Sequence, residues 1–248
     1  MLSEFSVEGK TVFITGASSG IGACCAEVFA RGGANVLVSG RDKERLAEVA
    51  QKCGANARIF ECELNDSEQV SALAENLPAF DGAVFCAGTG FYPPAMLKFA
   101  SDAELENVMQ TNLVSTMRLV RGLIKRRKVN KGGSLVFMSS VAGAFADAGH
   151  CLYGVSKAAV AALARELAVE LAPRGIRANS LSPAMVKTPM TAAFFADARA
   201  AEADSKKYLL GGGDVKSVAN AAQFLLSDAS AWITGVNLPV DGGYSCWK

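Results

Sequence analysis

"TVFITGASSGIG", residues 11–22, joins an apolar, β-branched run to a turn of small residues and then to the head of a helical stretch. The run ends at Thr15, and Gly16, Gly20 and Gly22 follow at the spacing G-x-x-x-G-x-G. Gly16 allows a tight turn, Gly20 lets backbone approach a pyrophosphate, and Gly22 lets the helix pack close to the strand. The helix N-terminus offers unpaired N–H groups to anionic oxygens. Ser18 and Ser19 can add hydroxyl donors, and Ile21 lies in the same loop. A strand before and a helix after favour a dinucleotide phosphate loop over a plain turn.

Outward from this loop, short apolar runs recur at 35–39, 57–61, 82–86, 134–139, 176–182 and 235–240. Helical periodicity fills the intervals near 20–31, 42–52, 66–76, 101–128, 153–172 and 214–227. Runs that are apolar on nearly every position suit strands covered on both faces. Right-handed crossovers then give an α/β fold: one Rossmann-type domain over 1–248, with about seven strands in a doubly wound parallel sheet and helices on both faces. The alanine-rich, charged stretch 189–213 has no strand and reads as a short helical lid over a site.

Half of the 248 residues are hydrophobic and a fifth are charged, enough for a sizeable core. Twenty-five basic residues against 24 acidic ones leave no electrostatic footprint for nucleic acid or an anionic membrane. The one basic cluster, Lys125 to Lys128 with Lys131, reads as a solvated helix end. Seven cysteines form an odd set without metal-ligand spacing, and neither a secretory leader nor a long apolar span is evident, so a reduced cytoplasm is expected and no metal. The single histidine, His150, has no Cys or His partner at ligand spacing and reads as a loop or pocket-wall residue.

In "HCLYGVSKAAV" (150–160), Tyr153 and Lys157 stand four apart and share a helix face. A phenol with an ordinary pKa near 10 is hardly ionised at neutral pH, and a nearby ammonium favours the phenolate and eases proton exchange.

The glycine spacing departs from the ordinary G-x-G-x-x-G fingerprint, and further marks follow in order. They are "CAG" (86–88), "TN" (111–112), "SS" (139–140), "YGVSK" (153–157), "SPAMVKT" (182–188) and "LPVDGG" (238–243). Jointly they resemble the classical short-chain dehydrogenase/reductase family over the whole chain. The resemblance implies that Ser140 holds and polarises a substrate carbonyl oxygen, that Tyr153 exchanges the proton and that Lys157 also holds the nicotinamide ribose. It further implies that Asn112 holds a water linking Lys157 to solvent. Cys86, Ala87, Gly88, Pro183, Val186 and Thr188 would adjoin the cofactor, the last two at its carboxamide. Glu63 and Leu64 would meet the adenine edge.

After the second strand the chain has Gly40 and Arg41 where an acidic residue would bind the adenosine ribose hydroxyls. A guanidinium there can pair with a 2′-phosphate through two parallel hydrogen bonds. NADPH is therefore preferred, with NADH as the alternative. Cys86 replaces the family's asparagine, so water or a neighbour should supply the missing hydrogen bond. Ala184 replaces a glycine.

The expected reaction is NADPH-dependent reduction of a ketone or 3-oxoacyl thioester. Sugar, polyol or steroid alcohol oxidation is the alternative, and a catalytically idle NADP-binding sensor the reading from another class. The pocket would be walled by Ala142–His150, Phe91–Met96 and Met190–Tyr208, with Phe91, Tyr92, Phe194 and Phe195 making it apolar. The resemblance also implies a homotetramer, with a dimer as the alternative.

Overall fold

The computed structural model describes residues 3–90 and 95–246, so Phe91 and Tyr92 lie outside the described residues. The strands are β1 (Thr11–Thr15), β2 (Asn35–Gly40), β3 (Ala57–Glu61), β4 (Phe80–Phe85), β5 (Val129–Met138), β6 (Arg177–Pro183) and β7 (Asn237–Val240). All pair in parallel, in the order β3-β2-β1-β4-β5-β6-β7. The helices are α1 (Gly20–Arg31), α2 (Lys43–Cys53), α3 (Ser67–Asn76), α4 (Asp102–Met109), α5 (Ser115–Lys125), α6 (Cys151–Leu171), α7 (Ala192–Ala196), α8 (Ala198–Ser205) and α9 (Val215–Leu226).

Alternation along each strand feeds two cores. Val12 and Ile14 of β1 join Phe29 of α1 and Leu225 of α9 in one layer. Phe13 joins Phe80, Phe85 and Leu119 in the other. Phe13, Phe29, Phe80 and Phe137 are fully buried, each contributing about 1.5–3 kcal/mol by leaving water. With both faces covered, the strands are apolar throughout, as their sequences require.

β1 lies between β2 and β4, so the chain winds one way through β2 and β3 and the other way from β4 onward. The crevice beyond the C-terminal ends of β1 and β4 is where such sheets bind ligands.

Two segments differ from expectation. The stretch 101–128 is not one regular helix: α4 starts with a Ser101–Glu104 capping box, Gln110–Val114 forms a π turn, and α5 stops at Lys125. Arg127 then takes φ 53°, and β5 begins at Val129, five residues early. The basic run consequently covers the last residue of α5, a turn and part of β5. Lys128 Nζ donates to the carbonyls of Glu75, at 2.8 Å, and Leu77, so this cation closes the end of α3 rather than solvating α5. The second difference is that α6 begins at Cys151, which puts Tyr153 in its first turn.

Candidate active site

The phosphate-loop residues, with Arg41, Glu63, Leu64, Cys86, Ala87, Gly88 and Thr188, line one groove of about 640 Å³ at the crevice. A methyl group on Gly16 would fall 2.7 Å from Ala87 N, and one on Gly22 would strike the Gly16 carbonyl. The loop is thus packed directly on "CAG". Gly16 and Gly20 both take positive φ, 64° and 56°, which favours glycine. Side-chain oxygens cap α2, α3, α4, α8 and α9; α1, whose N-cap is Ser19, has no such cap, like α5, α6 and α7. Its first N–H groups are left for a ligand.

At the far end of the groove, Arg41 Nη1 stands 3.4 Å from Glu63 Oε2. Glu63 Oε1 accepts from Asn65 N at 3.0 Å. One carboxylate oxygen thus accepts from a main-chain N–H while the other faces Arg41. Arg45 also lines this end and pairs with Asp42 across 3.1 Å. Sequence reading passed over Arg45, although it falls one helical turn beyond Arg41.

Ser140, Tyr153 and Lys157 come together in a second, adjoining cavity of about 470 Å³. Ser140 ends the run after β5, and its Oγ accepts from Ala142 N at 3.2 Å. Ser139 donates to the Lys157 carbonyl at 2.7 Å, as a strand-end backbone partner. Lys157 is buried, and its Nζ donates to Met138 O at 2.9 Å. Burial lowers its pKa to about 8, with nearby Cys86 acting the other way. Nζ lies 5.7 Å from the Tyr153 ring centroid.

Burial pushes the Tyr153 phenol above its ordinary value, and only its hydrogen bond with Ser140 opposes the rise. This runs against the depression expected from Lys157. Desolvation of the phenol sets the direction, and Lys157 is not among the groups that oppose it.

Asn112 sits in the π turn, fully buried, its amide committed to the loop after β4. Oδ1 accepts from Thr89 N at 2.6 Å, while Nδ2 donates to Thr89 O at 3.0 Å and Ser156 Oγ at 2.9 Å. These bonds repay its poor helix propensity. A methyl on Gly88 would lie 3.0 Å from Asn112 Oδ1 and 3.3 Å from Lys157 Nζ, so the space beside this glycine borders both groups.

Cys86 meets the neighbour its substitution called for. The buried Cys25 thiol hydrogen-bonds to it, and this contact together with burial raises Cys25 well above its usual value.

The two cavities share Ile21, Cys86, Gly88, Met138, Thr188 and Met190. Pro183 and Val186, expected at the cofactor, lie on the second cavity's wall alone. Thr188 is tied to Thr191, whose Oγ1 accepts from Thr188 N at 2.9 Å. His150 lines the second cavity, and so do Phe145, Phe194, Tyr208 and Tyr244. Neither Met96 nor Phe195 does; Phe195 stacks edgewise on Phe194 instead, at 5.4 Å. Among the described residues no cluster of three or more His, Cys, Asp or Glu could hold a metal ion, and no helix is long and apolar enough to cross a membrane.

A glycine cradle at the switch point of a parallel sheet, opening onto a Ser, Tyr and Lys cluster, defines a dinucleotide-dependent oxidoreductase of the α/β class. A family model described as enoyl-(acyl carrier protein) reductase matches residues 16–245. The chain is 37% identical over 253 residues to a tropinone reductase homolog of Arabidopsis thaliana, covering 98% of this chain and 93% of that one. It is 32% identical over 239 residues to the 3-oxoacyl-acyl-carrier-protein reductase of Escherichia coli, covering 95% and 97%. A gluconate 5-dehydrogenase from Burkholderia cenocepacia, solved with NADP and tartrate, superimposes with a TM-score of 0.90 at 28% identity, covering 98% of each chain. The chain belongs to the short-chain dehydrogenase/reductase family and is an NAD(P)-dependent enzyme acting on CH–OH or C=O groups.

Proposed function

We propose that the chain is an NADPH-dependent reductase of a ketone or 3-oxoacyl thioester, with Tyr153 as proton donor. The observation that carries this reading is the meeting of the Ser140 and Tyr153 hydroxyls with buried Lys157 in the cavity that shares its wall with the glycine-lined groove.

The cofactor, when bound, supplies the hydride. Ser140 and Tyr153 hold the carbonyl oxygen as negative charge develops on it, and Tyr153 gives it the proton. Lys157, with a pKa of about 8, can return that proton near neutral pH. Asn112 would hold the relay water that links Lys157 to solvent. Gly16, Ser18, Ser19, Gly20, Ile21 and Gly22 would hold the pyrophosphate, and Arg41 the 2′-phosphate. Thr188 and Val186 would orient the carboxamide.

Residues 189–213 act as the lid: Phe194 and Tyr208 from this segment line the second cavity, while Val186 pairs with Gly213 at its base. The aromatic walls suit an acyl chain or ring. Oxidation of a sugar or polyol is the second reading, favoured by the likeness to gluconate 5-dehydrogenase. Exposed Met117 on α5 and Val155 and Val169 on α6 support assembly into a homotetramer. Seven free thiols suit a reducing cytoplasm.

The test follows nicotinamide absorbance with NADPH and with NADH against ketoacyl thioesters, diketones, steroids and sugars. Turnover with NADPH on a carbonyl supports the reading. Equal or better use of NADH removes the role given to Arg41, and cofactor binding without turnover on any substrate favours the idle sensor.

A further inference from the structure

We infer that Glu63 is a specificity-determining residue for the cofactor, its carboxylate standing against Arg41 so as to narrow the preference for a 2′-phosphorylated dinucleotide. The inference rests on the reading of the groove as a dinucleotide site with Arg41 at its adenosine end.

Glu63 is held from several sides. Asp66 caps α3, its Oδ1 accepting from Glu68 N at 2.9 Å and Gln69 N at 3.1 Å. Gln69 Nε2 donates to Asp66 Oδ2 at 2.9 Å, and Gln69 Oε1 accepts from Glu63 N at 2.9 Å. Asn65 N then donates to Glu63 Oε1. A chain of hydrogen bonds rooted in a helix cap thus aims Oε2 at Arg41. The Arg41 side chain is 78% exposed and lacks comparable anchors, so Glu63 is the fixed member of the pair.

A guanidinium has five N–H donors, and a single contact to Glu63 leaves most of them for a phosphate. The phosphate would therefore bind without expelling the carboxylate, and two anions would share one cation. A phosphate monoester carries nearly two negative charges at neutral pH. Repulsion from Glu63 falls on NADPH alone. A 2′-hydroxyl can instead donate to the same carboxylate, as ribose hydroxyls do to acidic residues at this end of such sites. One residue thus acts in opposite senses on the two cofactors. The other guanidinium here, Arg45, is paired with Asp42 and brings no uncompensated charge.

The experiment measures the dissociation constants of NADPH and NADH, by reduced-nicotinamide fluorescence, for the full chain and for Glu63→Gln and Arg41→Ala at low and high salt. Glutamine keeps the acceptor for Asn65 N, and matching melting temperatures establish that the variants fold. Glu63→Gln should raise the NADH-to-NADPH ratio of dissociation constants by roughly threefold to tenfold at low salt, and by less at high salt. Arg41→Ala should lower the ratio. A ratio unchanged or lowered in Glu63→Gln, with the fall in Arg41→Ala intact, overturns the inference alone. If neither substitution moves the ratio, the Arg41 reading falls with it.

Discussion

At one end of the site Arg41 and Glu63 face each other across 3.4 Å in solvent, whereas near the junction of the two cavities Lys157 is buried and bonded to a main-chain carbonyl. Water screens the first pair, and exposed pairs of this kind contribute about 0–1 kcal/mol. Burial costs the second group its basicity, down to a pKa of about 8. The difference teaches where each chemical property is set. On the proposed reading, cofactor preference would rest on small, adjustable surface terms, and proton transfer on groups whose surroundings leave little freedom to change.

Two substitutions at the buried end should therefore have large effects. Ser140→Ala removes the hydroxyl proposed to hold the developing oxyanion and should lower kcat by about 10²–10³-fold, read by steady-state absorbance; a loss below tenfold would break the contrast. Asn112→Ala takes the partners from the half-buried Thr89 N–H and C=O, at a cost of up to about 1–3 kcal/mol each. Calorimetry should show a lower Tm, by about 2–4 °C for each kcal/mol, and an unchanged Tm would mean the Thr89 loop does not need this anchor.

The smallest effect is on pH. Burial holds Lys157 charged below about 8 and neutral above it. Reduction consumes a proton and uses the charged form, so its kcat/KM should fall as pH rises through that value, approaching about tenfold per pH unit. For stability the sign is opposite. The unfolded chain binds the extra proton between about 8 and the ordinary 10.5, so this group makes the fold more stable as pH climbs across that window.

Much of the molecule was legible in the residue order. Runs such as 11–15 and 35–39 lie in strands because they are apolar on both faces, and the glycine spacing marked the turn between β1 and α1. Ser140, Tyr153 and Lys157 meet, although 13 residues or more separate the serine from the others. What stayed hidden depends on distant partners. The π turn at Asn112 answers to Thr89 and Ser156, and the hydrogen bond of Cys86 comes from Cys25 on another element. The upward shift of Tyr153 could not be read from the i, i+4 pair, since burial rather than the neighbouring charge sets its direction. Lys128 read as helix surface because the carbonyls it closes belong to α3.

The central claim is that Tyr153 delivers the proton while the groove holds the cofactor independently. Tyr153→Phe should bind NADPH within about twofold of the native chain by fluorescence, yet lose about 10²–10⁴-fold in turnover of the best carbonyl substrate. A variant that keeps both binding and turnover would contradict the account.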